Sequence, residues 1–101
     1  MTDNPLSEKV FKLLKEIPKG KVTTYKELTK KAGLKNPRQV GRIIHTNNQP
    51  EFYPCHRVVR SDGTLAEGYK YGGQDGQKKR LIGEGVKFSG NKINLTQFSY
   101  K

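Results

Sequence analysis

The sequence predicts a mainly α domain with short β strands, built around a helix-turn-helix and winged-helix-like in its second half. Three observations carry that expectation. Apolar residues recur at helical spacing near the N-terminus, two capped helical segments flank a glycine-containing turn, and the later chain breaks into short apolar runs between turn residues. The 101 residues suit one domain over the whole of 1–101, with a single modest core.

From Pro5 to Ile17 the residues Leu6, Val10, Phe11, Leu13, Leu14 and Ile17 fall on one helical face, with Asn4 as N-cap and Pro5 at the first helical position. Pro18-Lys19-Gly20-Lys21 breaks this helix. Thr23 or Thr24 then caps a second helix through Tyr25, Leu28 and Ala32, which stops near Gly33. Asn36 caps a third, with Pro37 in its first turn and Val40, Ile43 and Ile44 on its apolar face, ending near Asn47. The last two form the helix-turn-helix. Arg38, Gln39, Arg42 and His45 lie on or beside the side opposite Val40 and Ile44, a face that suits DNA but equally an ordinary solvated helix.

Beyond the third helix, Val58-Val59 reads as a short buried strand, Ser61-Asp62-Gly63 as a turn, and Gly68 to Gly76 as a functional loop rich in glycine and tyrosine. A last helix is expected from about Gln74 to Glu84, with short strands at Val86 to Phe88 and Lys92 to Leu95.

Twenty Lys and Arg oppose nine Asp and Glu, a net charge of +11 that makes nucleic acid the leading expectation for a partner. No run approaches the ~20 apolar residues of a membrane span and no signal-peptide core is present, so an intracellular, soluble chain without a membrane partner is expected. One Cys with two His makes no structural zinc set, and no nucleotide-phosphate fingerprint occurs, so neither metal nor cofactor is expected.

The only cysteine, Cys55, lies within Pro54-Cys55-His56-Arg57-Val58. It cannot close an intrachain disulfide. Lone cysteines are mostly small buried hydrophobes, but cationic neighbours favour the reactive thiolate, and a thiol held on a fixed element beside a base suggests nucleophilic chemistry.

Taken with other blocks, that pentapeptide resembles the C-terminal domain of the O6-alkylguanine-DNA alkyltransferases. The matching blocks are Ile17-Pro18-Lys19-Gly20-Lys21-Val22-Thr23-Thr24-Tyr25, Arg38-Gln39-Val40-Gly41, Asn47, Pro54 to Val58, Gly68-Tyr69 and Glu84-Gly85, in the family's order. The resemblance implies a single-use repair reaction in which Cys55 takes an alkyl group from O6 of guanine and keeps it as a thioether. His56 would act through a water as base, Glu84 would orient His56, and Asn47 would support the active-site turn. The partner implied is double-stranded DNA containing alkylated guanine, entered through the minor groove by the third helix of a monomer. Arg38 would fill the space left by the extruded nucleotide and Tyr25 would abut a phosphate, with Thr24, Gln39 and Arg42 as further DNA contacts. Tyr25, Ile44, Val58, Tyr69 and Gly72 would line the alkylguanine pocket, whereas Tyr53 is expected to pack in the core.

The chain departs from the family pattern in places. Many alkyltransferases carry an N-terminal domain that is not seen here, so this domain is expected to fold and act without that support, and Lys70 and Tyr71 take no transferred role. The tail from Glu84 through Leu95 resembles the alkyltransferase-like proteins, which bind alkylated guanine but replace the cysteine, commonly with tryptophan. A non-catalytic lesion sensor is therefore the first alternative to catalysis. A general DNA-binding module with an incidental cysteine is the second, and a thiol hydrolase is the weakest.

Overall fold

In the computed structural model, residues 5–66 and 69–100 are described. Helix α1 (Pro5–Lys15) buries Ser7, Val10, Phe11 and Leu14, and stops before Ile17, which is still buried beyond the helix end. The expected cap Asn4 lies outside the described residues.

Strand β1 (Thr23–Thr24) leads directly into α2 (Tyr25–Ala32). Thr24 does both jobs, since its hydroxyl accepts a hydrogen bond from the Glu27 backbone N–H at 3.1 Å and satisfies a donor that the helix start leaves open. Gly33 ends α2 with φ at 71°, a left-handed cap that residues with a Cβ adopt at a cost. Its geometry sets the short turn to α3 (Pro37–His45), which opens on a reciprocal capping box between Asn36 and Gln39.

Pro54 precedes a 3₁₀ turn, Cys55–Arg57, that feeds β2 (Val58–Val59). Strands β1 and β2 pair in parallel, Thr23 against Val58 and Thr24 against Val59. Because successive strand side chains face opposite ways, Val58 enters one core with α1, α2, α3 and Cys55. Val59 enters a second core with Val22, Leu65, Leu81, Val86, Ile93 and Phe98. The cysteine therefore sits at the edge of the first core, on a turn anchored by a strand that both cores grip. Tyr53 packs on Phe11 with ring centroids 5.0 Å apart.

Helix α4 (Gly73–Gly83) begins inside the segment expected to be a functional loop, of which Gly68 lies outside the described residues. Strands β3 (Phe88–Ser89) and β4 (Lys92–Ile93) form an antiparallel hairpin, the wing of the fold. The expected strand to Leu95 is cut short because the Asn94 side chain accepts from the Thr96 and Gln97 N–H groups and starts α5 (Leu95–Phe98), a helix the sequence reading did not predict. The tail then returns to β1, where Val22 bonds Phe98 and Tyr100 through its backbone N–H and carbonyl.

Asn36→Ala should remove half of the capping box that starts α3 and cost about 1 kcal/mol. In thermal denaturation followed by circular dichroism this appears as a melting midpoint about 4–8 °C lower.

Candidate active site and adjoining basic groove

Cys55 is 4 % exposed, and its N–H is held by the Tyr53 carbonyl at 2.7 Å. Asn47, itself buried, surrounds the same turn. Its amide donates to the Tyr53 carbonyl at 2.8 Å, its side-chain oxygen accepts from the Gln49 N–H at 3.0 Å, and its own carbonyl accepts from the Tyr71 hydroxyl. On the other side of the turn, buried Gln77 of α4 donates to the carbonyls of both His56 and Val58 at 2.9 Å.

The His56 Nε2 lies 2.9 Å from the Glu84 Oε2. Arg57 grips the same carboxylate twice, through Nε to Oε1 at 2.9 Å and Nη2 to Oε2 at 2.6 Å. Its remaining arm donates to the Ile17 carbonyl at 2.6 Å. Burial pushes the Glu84 carboxyl up, but hydrogen bonds from Arg57 and His56 and their charges outweigh it, so the group is held below the usual carboxylate range. Burial also pulls His56 below its ordinary value against the opposing effect of Glu84.

These directions fix the proton arrangement at neutral pH. An ionised Glu84 only accepts hydrogen bonds, so the neutral imidazole carries its proton on Nε2 and leaves the lone pair on Nδ1. That Nδ1 is buried and has no hydrogen-bond partner among the described residues.

The thiol does not follow the sequence expectation. Burial raises the Cys55 pKa, and the Asn47 hydrogen bond and the charges of Arg80 and Lys70 only partly offset it. The adjacent cations fail to produce a thiolate for a geometric reason: Arg57 is turned away onto Glu84 and Ile17, and the imidazole is neutral.

Beside this centre runs an open groove of about 800 Å³ between the α2 start, the exposed side of α3 and the loop after β2. Tyr25, Arg38 and Arg42, expected as DNA contacts, line it together with His45 and with Lys26 and Arg60, which had not been singled out from the sequence. Burial raises the Tyr25 pKa, helped by the charge at Cys55 and opposed by Arg60. The phenol lines the groove and also packs against the core cluster that contains Cys55. Gly41 also lines the groove, and a Cβ built there would meet nothing within 4 Å.

Other assigned residues fall elsewhere. Thr24 is buried as the cap of α2, and the Gln39 side-chain oxygen is occupied by the Lys35 and Asn36 N–H groups at 2.7 and 3.2 Å. Neither lines the groove, because helix starts with open donors claim those side chains first. Ile44 and Val58 belong to the core cluster that contains Cys55, and Tyr69 packs against it. Gly72 is the exposed N-cap of α4. Burial and the charge at Cys55 push the Tyr69 pKa up to about 12, and its hydroxyl is buried without a partner among the described residues. Gln77 was not singled out from the sequence, and Arg57, expected to favour the thiolate, instead holds Glu84. Arg57 lay inside the singled-out pentapeptide, but its distant partners could not be read from spacing.

A helix-turn-helix beside a buried cysteine and histidine and a half-buried glutamate defines the class, and comparison with known proteins agrees. Residues 5–86 match the family described as 6-O-methylguanine DNA methyltransferase, DNA binding domain, and the chain belongs to that family. It is 41% identical to the methylated-DNA–protein-cysteine methyltransferase of Candida glabrata over 99% of this chain and 52% of that protein. It is 35% identical to alkyltransferase-like protein 1 of Schizosaccharomyces pombe over 92% of each. The chain spans about half the length, or less, of the first two curated relatives it matches. Among solved structures, S. pombe Atl1 in complex with damaged DNA containing O6-carboxymethylguanine superposes with a TM-score of 0.85 at 34% identity, covering 100% of this chain and 99% of that one. The O6-methylguanine methyltransferase of Mycobacterium tuberculosis gives 0.70 at 31%, over 98% of this chain and 56% of that one.

Both lowered pKa values make acid destabilising. An unfolded chain would bind protons at His56 near its ordinary value of about 6.5 and at Glu84 near about 4.3, where the folded state does not. The contribution of each group is therefore present above those values and lost as pH falls through the folded ones. Urea unfolding free energies should decline from about pH 6.5 downward, and Glu84→Gln should remove the carboxylate part of that decline.

Proposed function

We propose that this domain removes alkyl groups from O6 of guanine in double-stranded DNA by transferring them irreversibly to Cys55. One observation carries the reading: Cys55 stands on a turn that Asn47 braces through the Tyr53 carbonyl, next in the chain to an imidazole whose Nε2 lies 2.9 Å from the Glu84 carboxylate.

In this scheme residues 1–101 act as one unit. The basic groove receives duplex DNA with α3 in the minor groove, where readout is largely degenerate and suits damage in any sequence context. The target base is extruded, since O6 is out of reach within the stack. Arg38 occupies the vacated space, Tyr25 abuts the backbone, and Arg42, Lys26 and Arg60 neutralise phosphates.

The thiol proton passes through a water to His56 Nδ1, and Glu84 stabilises the imidazolium, as a carboxylate does in a hydrolase triad. The thiolate attacks the alkyl carbon, the carbon–O6 bond breaks, and its electron pair stays on guanine. A proton returned through the same relay or from solvent completes the guanine, so the thiol hydrogen and the alkyl group have exchanged places. No turnover follows, because the thioether has no leaving route.

A second reading, a lesion sensor that binds without reacting, is favoured by the burial and raised pKa of the thiol and by the near full-length match to an alkyltransferase-like protein.

The protein incubated with duplex containing O6-methylguanine should gain the mass of one methyl group less a hydrogen, on the peptide carrying Cys55, and Cys55→Ala should abolish the gain while retaining binding. Single-turnover rates should keep rising as pH increases through the ordinary thiol range of about 8.5, because burial shifts the thiol upward. Tight, lesion-selective binding with no mass change would assign the sensor role instead.

Gly41→Ala separates stability from binding. A glycine inside a helix costs roughly 0.5–1 kcal/mol relative to alanine, and no protein atom benefits from it here. The variant should melt at higher temperature yet bind duplex DNA more weakly in anisotropy titrations, since the added methyl would stand between α3 and the sugar–phosphate wall.

A further inference from the structure

The DNA-facing groove leaves unexplained a second concave surface that shares no residue with it. Two adjoining clefts, of about 410 and 320 Å³, meet at Lys15 near the end of α1. Their apolar floor is made of Phe11, Tyr53 and Phe52, and Phe52 is 52 % exposed, unusual for an aromatic ring with a core a residue away. Lys12 and Lys15, a helical turn apart on α1, line these clefts together with Lys19 and Arg80.

Three acids line the two clefts, Glu8, Glu51 and Glu84, and the last two are committed. Glu84 is held by Arg57 and His56, and Glu51 pairs with Arg80 at 3.0 Å while its side chain remains 85% exposed. An exposed ion pair of that kind is worth little and exchanges readily. With Arg80 paired to Glu51 and Arg57 spent on Glu84, Lys12, Lys15 and Lys19 outnumber Glu8 around the aromatic floor, which calls for an occupant with an apolar anchor and flanking carboxylates.

From this complementarity we infer that the trough along α1 and Phe52 is a docking site for an acidic protein segment carrying an aromatic or leucine anchor. Single-stranded nucleic acid fits less well. Base stacking needs an open ring face, but the Lys15 ammonium already lies 4.1 Å from the Phe52 centroid and Tyr53 meets the same ring edge-on at 4.7 Å. A carboxylate, by contrast, engages Lys15 where it stands. The far wall of the trough is formed by His56, Arg57 and Glu84, so a docked segment would lie against the back of the active-site turn while DNA occupies the groove. This surface is independent of whether Cys55 reacts.

The test uses the full chain and a short fluorescein-labelled peptide in which Asp and Glu flank a Phe-Leu pair, with an Asn/Gln version as control. Fluorescence anisotropy should show saturable binding of the acidic peptide that persists when the protein is saturated with duplex DNA. It should weaken at least about fivefold with Phe52→Ala and also with Lys15→Glu, each checked for folding by its thermal melt. Binding unchanged in both variants would overturn the inference. So would displacement of the peptide by duplex together with loss in Arg42→Ala, equal binding of the Asn/Gln control, or preference of the trough for a single-stranded oligonucleotide over the peptide.

Discussion

The Glu84 carboxylate is the point on which the arrangement of this domain turns. It is shared by the imidazole of His56 and the guanidinium of Arg57, and the third arm of Arg57 reaches the Ile17 carbonyl at the end of the first helix. One half-buried ion pair thereby joins the segment after the first helix, the cysteine turn and the end of α4. Such a pair contributes little net stability, but removing one partner leaves the other charge partly desolvated. The pair therefore acts more as a constraint on geometry than as a source of stability.

The same constraint sets the chemistry of the site. Because the cationic neighbour of Cys55 is spent on Glu84, the thiol is left to the effect of burial and stays protonated at neutral pH. Because Glu84 holds the Nε2 proton, the imidazole keeps a free lone pair at Nδ1. Under the proposed transfer, a thiol held protonated by burial would become a nucleophile only when a proton path exists, whereas a standing thiolate would be open to oxidation and adventitious alkylation.

The fold separates its surfaces in a way that suits this chemistry. Helix α3 and the loop after β2 open a basic groove on one side, whereas α1 and Phe52 shape an apolar trough lined by cations that borders the back of the cysteine turn. Between them the parallel β1–β2 pair places Val58 and Val59 in different cores, so the turn preceding β2 is fixed from both sides. Gln77 adds a further latch from α4 on the His56 and Val58 carbonyls.

Much of this was legible in the chain itself. Caps and periodicity located α2 and α3 within a residue or two, because a helix start needs local hydrogen-bond acceptors and an amphipathic face needs a regular spacing. The block order around Pro54 to Val58 located the cysteine, the histidine and the glutamate. What the chain did not disclose were outcomes of competition between distant groups. Thr24 and Gln39, expected as DNA contacts, also cap helix starts with their side-chain oxygens, and Asn94 turned an expected strand into α5. Arg57 read as an activator of its neighbour, yet Glu84, brought close only by folding, took its charge. Local propensity is written in neighbouring residues and can be read from them. The charge state of Cys55 depends on burial and on where a guanidinium ends up pointing, and only tertiary packing decides those.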